Sequence, residues 1–185
     1  EGISWSLISS KGAGFRIIPP GWIITHKGPG IYFTDGTSIS KGLAILNSEA
    51  ISGLLSLISP TMGFEIGQLN LLPWPSLDRY SDSLSRFSNL NIWLSFWLET
   101  KKETTFDFNA PHSWQNGLSK VIIVRNKVLE IEKEITQVVY QLFEIDNEDR
   151  ALIDTDLSGG GFPIEIDNKG LKIEDEEYTT SDISI

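Results

Sequence analysis

The chain has 185 residues, 40% of them hydrophobic with six Trp and nine Phe, enough to bury one core or a core plus an appendage. No apolar run approaches the roughly 20 residues that cross a bilayer, and no basic start followed by an apolar stretch marks a secretory leader. A net charge of −10 excludes a broad cationic coat for nucleic acid, and the lack of cysteine excludes disulfides and thiolate metal sites, as a cytoplasmic location allows.

Residues 1–37 have the composition of β structure. Phe15–Ile18, Trp22–His26 and Gly30–Phe33 are short runs rich in aromatic and β-branched residues. Pro19-Pro20-Gly21 and Lys27-Gly28-Pro29-Gly30 separate them as turns. Leu43–Leu46 fits either a further strand or the approach to a helix. Asn47-Ser48 then offers N-cap side chains for a helix over 48–58, carried by Ile51, Leu54, Leu55 and Ile58 and ended by Pro60. Phe64–Leu72 reads as a returning strand that closes a β-rich lobe over 1–76.

Residues 77–150 read as a helical segment. A helix over 78–98 gathers Leu84, Phe87, Leu90, Leu94 and Trp97 on an apolar face, with Trp93 and Trp97 one turn apart as core residues. Glu103–Trp114 is irregular, its aromatics expected to pin it down. The clearest helix runs from Leu118 to Phe143, where Val124, Val128, Ile131, Ile135, Val138 and Leu142 form a heptad seam that calls for a partner helix. Residues 151–185 read as an acidic, loose tail, with a short strand possible at Phe162–Ile166. The predicted class is α+β, with no internal repeat.

The charge is unevenly spread. Residues 1–102 carry eight Lys/Arg against seven Asp/Glu, and residues 103–185 carry seven against eighteen, densest at Glu174–Glu177. Such a run is a solvated face or a tail that binds a partner protein. No segment supplies catalysis: there is no Asn/Asp-Pro-Pro-Tyr/Phe, no phosphate loop, no G-x-S-x-G and no metal-spaced His pair. Gly12-Ala13-Gly14 is a lone G-x-G, His26 and His112 stand alone, and Glu130–Lys133 falls on the solvent side of the heptad helix. No catalytic, cofactor or metal residue is expected in this chain.

Several blocks in order carry a family likeness. Ser4-Trp5-Ser6 through Phe15-Arg16, then Pro20-Gly21-Trp22, Lys27-Gly28-Pro29, Leu46-Asn47-Ser48, Pro60-Thr61, Phe64-Glu65-Ile66-Gly67 and Leu72-Pro73 resemble the C-terminal target-recognition region of PglX-type adenine-specific methyltransferases of BREX phage-defence systems. Glu103–Phe108 is similar to that family's E-T-S-W-D-F element. Glu130–Glu144 with Ile145–Glu148 resembles its long helix and final turn, although Leu142-Phe143-Glu144 replaces a Tyr-Gly-Leu core. A more distant likeness is to Type I restriction specificity subunits. The resemblance covers about residues 3–150 and leaves out the acidic tail.

The resemblance implies a chain that reads duplex DNA while a separate domain of the same protein binds S-adenosylmethionine and methylates adenine N6. The missing initiator Met agrees with a piece of a longer protein. The basic and polar residues near turns of the first lobe are then the candidate DNA contacts: Lys11, Arg16, His26, Lys27, Thr34, Ser38 and Lys41. Other defence proteins are expected partners and a membrane is not. Two readings from other classes stand beside this one: a protein-interaction module built on the heptad helix and acidic tail, and an aromatic-rich carbohydrate-binding domain.

Overall fold

The computed structural model describes residues 1–9, 12–34, 38–59, 61–76, 80–111 and 117–158. It shows an α+β fold in which a small antiparallel sheet and six helices share one core. Strands β1 (Gly2–Trp5), β2 (Phe15–Ile18) and β3 (Gly30–Ile31) lie in the order β2-β1-β3. The pairing of Trp5 with Phe15 and of Ile3 with both Ile17 and Ile31 turns one face of the sheet inward. The alternate set, Gly2, Ser4, Arg16, Ile18 and Gly30, lies on the opposite face, where Arg16 is exposed and Ile18 is buried, because side chains alternate across a strand.

Helix α1 (Ile39–Leu46) covers the inner face, where the ring of Phe33 and the side chain of Ile3 crowd the α-carbon of Gly42. The apolar run at Leu43–Leu46 is therefore helical. Asn47 ends α1 and Ser48 caps α2 (Glu49–Ile58), its Oγ accepting from the Ile51 amide, as the cap residues predict. Asn47 also bridges to the sheet: its Oδ1 accepts from the Phe15 amide and its Nδ2 donates to the Phe15 carbonyl, both at 3.0 Å. The helix ends at Ser59, whose hydroxyl donates to the Gly63 carbonyl; Pro60 lies outside the described residues.

The expected strand at Phe64–Leu72 does not form. Residues 62–64 meet the chain at 7–9 through an isolated bridge, with Ser9 N–H to Met62 O and Phe64 N–H to Leu7 O. The Glu65 amide then donates to Gln68 Oε1 at 2.8 Å, a capping box that winds Ile66–Leu69 into a short helix, α3. Phe64 is fully buried, and its carbonyl accepts from the Trp5 indole at 2.7 Å. The expected strand at Trp22–His26 is also absent, and Gly30–Phe33 contributes two strand residues rather than four.

Helices α4 (Ser81–Glu99) and α5 (Gly117–Leu142) lie side by side, giving the heptad helix the partner its pattern requires. Ile131, Ile135 and Val138 are buried, Val124, Val128 and Leu142 partly so, and all belong to the same core as Leu84 and Leu94 of α4. Each fully buried Ile or Leu contributes on the order of 1.5–3 kcal/mol. Trp93 is not a core residue: it is 62% exposed, beside exposed Leu90 and Phe96. Residues 103–111 are irregular as expected, but burial does not pin them, since Phe106 is 90% exposed.

After α5 the chain reverses at Glu144, with a left-handed φ of 53° and the Ile145 amide bonded to the Tyr140 carbonyl. Asp146 Oδ1 accepts the Glu148 and Asp149 amides and starts helix α6 (Asn147–Ser158). The loose tail expected from residue 151 therefore begins as helix, and residues 159–185 lie outside the described set. Ile153 of α6 rests against Gly53 of α2. Among the described residues no helix is long and apolar enough to cross a membrane.

Candidate functional site

Two turns shape the outer face of the sheet. Pro19-Pro20-Gly21-Trp22 closes with the Trp22 amide on the Pro19 carbonyl, and Gly21 takes φ +84°, the left-handed value that a type II turn requires at its third residue. Thr25-His26-Lys27-Gly28 forms the second turn, with the Gly28 amide on the Thr25 carbonyl at 3.1 Å. Between them, Trp22–Ile24 folds back over the sheet. Ile24 seats against Gly30, where an added Cβ would stand 3.3 Å from both Ile24 and Ile18. A side chain at position 30 would press on Tyr32, Ile18 and Ile24, each of which would have to shift by a few tenths of an ångström.

The loop brings three of the seven predicted contact residues to one face. Arg16 projects outward from β2, its Nη2 donating to Ser6 Oγ at 2.7 Å. The neighbouring Leu7 amide donates to the Lys27 carbonyl at 3.2 Å, which holds the tip of the second turn beside the same segment. His26 and Lys27 are exposed at that tip. Thr34 is exposed at a bend leading to α1, whereas Ser38 and Lys41 sit half-buried in the first turn of α1. Ser38 Oγ is engaged there, accepting from the Lys41 amide and contacting Ser40 Oγ. Lys11 lies outside the described residues, as do His112 and Trp114.

The charge around this face departs from that of the whole chain. Residues 2–34 contain Lys11, Arg16 and Lys27 and no Asp or Glu, so the stretch that builds the sheet and its loop is cationic in a protein of net charge −10. At physiological salt a charge acts over about 8 Å, so these cations act on a phosphate brought close to them.

Sequence reasoning missed the aromatic character of the same face. Trp22 is exposed, and Phe106 meets its ring edge-on at 6.3 Å between centroids. Ile23, between the two turns, is 91% exposed. The flanking turns carried the signal, since the two-residue link between two tight turns has little length in which to bury itself.

A second feature is a cavity of about 610 Å³ between the Gly12–Ile17 stretch, α1, α2, α4 and α5. Glu49, Ser52, Asn91, Glu132 and Thr136 are among its polar lining. Burial pushes the Glu132 carboxyl above its ordinary range; the Asn91 amide bonded to it works against that, and Glu49 adds to it. Glu132 is nevertheless exposed as a residue, which places it at the edge of the cavity. Burial also raises Glu49, helped by Asp154 and opposed by Arg150 and Lys133. Asn91 Oδ1 is buried without a hydrogen-bond partner. Among the described residues no group of His, Asp or Glu could hold a metal ion.

No known family profile matches the chain, and no solved structure matches it. Two curated relatives do. The adenine-specific methyltransferase PglX of Lacticaseibacillus casei (strain Zhang) is 44% identical over 101 residues, 52% of this chain and 8% of that protein. The adenine-specific methyltransferase BrxX of Escherichia coli O9:H4 (strain HS) is 23% identical over 167 residues, 82% of this chain and 13% of that protein. The chain thus has homologues among adenine-specific methyltransferases and spans about a tenth of their length.

Proposed function

We propose that this chain is the DNA target-recognition region of a site-specific adenine-N6 methyltransferase acting in phage defence. On this reading S-adenosylmethionine is bound by a separate domain of the same cytoplasmic protein. The observation that carries the reading is the outer face of the sheet: Arg16, His26 and Lys27 stand together on a stretch free of acidic residues, in a chain related to adenine-specific methyltransferases. A small sheet with rigid polar turns can present side chains to base edges, while a few cations set its register on the phosphates.

So few cations set a quantitative expectation. Binding of duplex DNA by Arg16, Lys27 and Lys11 corresponds to two or three phosphate contacts, hence a slope of log affinity against log salt of about −2 to −3. Arg16→Ala and Lys27→Ala each reduce that slope by about 1. A slope near zero in a gel-shift series, or variants that bind as the parent does, would refute the reading.

Docking to other parts of the methyltransferase or to defence partners is a second reading, favoured by the exposed Leu90, Trp93 and Phe96 of α4. Trp97 nearby carries the Lys101 ammonium 5.6 Å from its ring. Such a module would be indifferent to DNA and to salt.

A further inference from the structure

The apolar tip at Trp22-Ile23 has no role in the fold. Ile24 anchors the loop to Gly30 and Ile18, and the two turns on either side are closed by backbone hydrogen bonds. What remains outside is Ile23, 91% exposed, and the Trp22 ring with Phe106 at its edge. The two closed turns and the Ile24 contact restrict the tip, which lowers the cost of ordering an apolar group there on binding. Two adjacent apolar side chains on this loop, with the Phe106 ring from another segment against one of them, are more than the scattered exposure normal for a surface. They stand on the same face as Arg16, His26 and Lys27, where residues 2–34 offer no acidic side chain to repel a polyanion.

We propose that Trp22-Ile23 is a wedge that inserts between stacked bases of the DNA duplex. This inference rests on the DNA-reading function proposed above and adds a contact class to it. Apolar wedges of this kind unstack a base step, which a few nearby cations can stabilise by holding the adjoining phosphates. An enzyme that modifies a base inside a duplex must take that base out of the stack, and a wedge beside the target offsets part of the unstacking cost. Of the three groups, Ile23 has the least protein around it and leads the insertion. Trp22 offers the stacking surface, with the Phe106 ring in a perpendicular contact with it.

The test uses the 185-residue chain and a duplex selected by it from a random-sequence pool, then scanned with an abasic position at each adenine. Trp22→Ala and Ile23→Ser should each weaken binding to the intact duplex by about five- to a hundredfold, the range for one lost base-stacking contact. The salt slope should stay unchanged, because no phosphate contact is removed. On the abasic duplex that binds best, the loss should shrink to within about twofold, since the unstacking is already done. Ile23→Leu should bind as the parent does. Because Ile23 is exposed, Ile23→Ser should keep the parent melting temperature, so a loss of binding cannot be a loss of fold.

Equal losses on intact and abasic duplexes would overturn the wedge and leave a surface contact. Unchanged binding by both variants would overturn the wedge while the DNA-reading function stands. Failure of the parent chain to enrich or bind any duplex would overturn the DNA-reading function and the wedge together.

Discussion

Replacing Gly53 with alanine sets two effects of similar size against each other. Gly53 lies in the middle of α2, where alanine favours the helix by about 1 kcal/mol. Against that, a Cβ built at Gly53 would come within 2.7 Å of Ile153 Cγ2, 3.1 Å of Cγ1 and 3.4 Å of Cβ. Both γ-carbons of the β-branched Ile153 crowd the new methyl, so turning the side chain leaves one of them close and α6 must give way. Overpacking of this kind costs about 1–3 kcal/mol. The net effect is a destabilisation of about 0–2 kcal/mol, or a fall in melting temperature of about 0–8 °C for a protein of this size. The distinguishing effect is local. Helix α6 is held by Ile153, by Arg150 Nη1 donating to Gln137 Oε1 at 2.7 Å, and by the Arg150 guanidinium over the Tyr140 ring at 4.7 Å. Hydrogen exchange followed by mass spectrometry should show faster exchange at 147–158 in Gly53→Ala, with α5 unchanged. A rise in melting temperature of about 2–4 °C with α6 as protected as before would mean that the helix gain is unopposed, and would refute the close approach of α6 to α2.

The seam of α5 gives a paired expectation: Ile131→Ala, at a position 3% exposed, should cost about 2–5 kcal/mol, whereas Ile123→Ala, 49% exposed on the same helix, should cost under about 1 kcal/mol. Equal shifts in chemical denaturation would place the seam wrongly. The crowded carboxyls of Glu49 and Glu132 make stability depend on pH. Both hold their protons more tightly in the folded chain than in the unfolded one, so this contribution is most favourable below the ordinary value of 4.5 and is lost as pH rises through the raised values. Glu132→Gln should therefore raise the melting temperature at pH 7, leave it unchanged well below pH 4.5, and flatten the profile between; an unaltered profile would refute the crowding.

Local chemistry made parts of this fold readable. The Ser48 cap and the apolar positions of α2 are written within a dozen residues, and the α5 seam repeats long enough to exclude a strand. The failures share one cause: short apolar runs whose state is decided by what they touch. Leu43–Leu46 is helical because the inner face of the sheet accepts a helix across Gly42. The Phe64–Leu72 run is turned by Glu65 and Gln68, a pair recognisable as a capping box but outweighed by apolar content. In α6, acidity concealed a helix that Asp146 caps and that buries little more than Ile153. Of the candidate site, the cations in turns were legible, since turns lie at the surface. That Trp22 and Trp93 face outward was not, because aromatic residues at helical or strand spacing carry no sign of which side the core lies on.

The bond from the Trp5 indole to the Phe64 carbonyl joins residues 59 apart in sequence and is reinforced by the Ile8–Gly63 bridge. During synthesis at about 5–20 residues per second, the first strand therefore waits several seconds before its ring has anything to donate to. In that interval Trp5 has Phe15 beside it but lacks the cover that Phe64 brings. A nascent chain stalled before residue 64 should accordingly be the species that chaperones engage, and one extended past the α2–α3 junction should escape them.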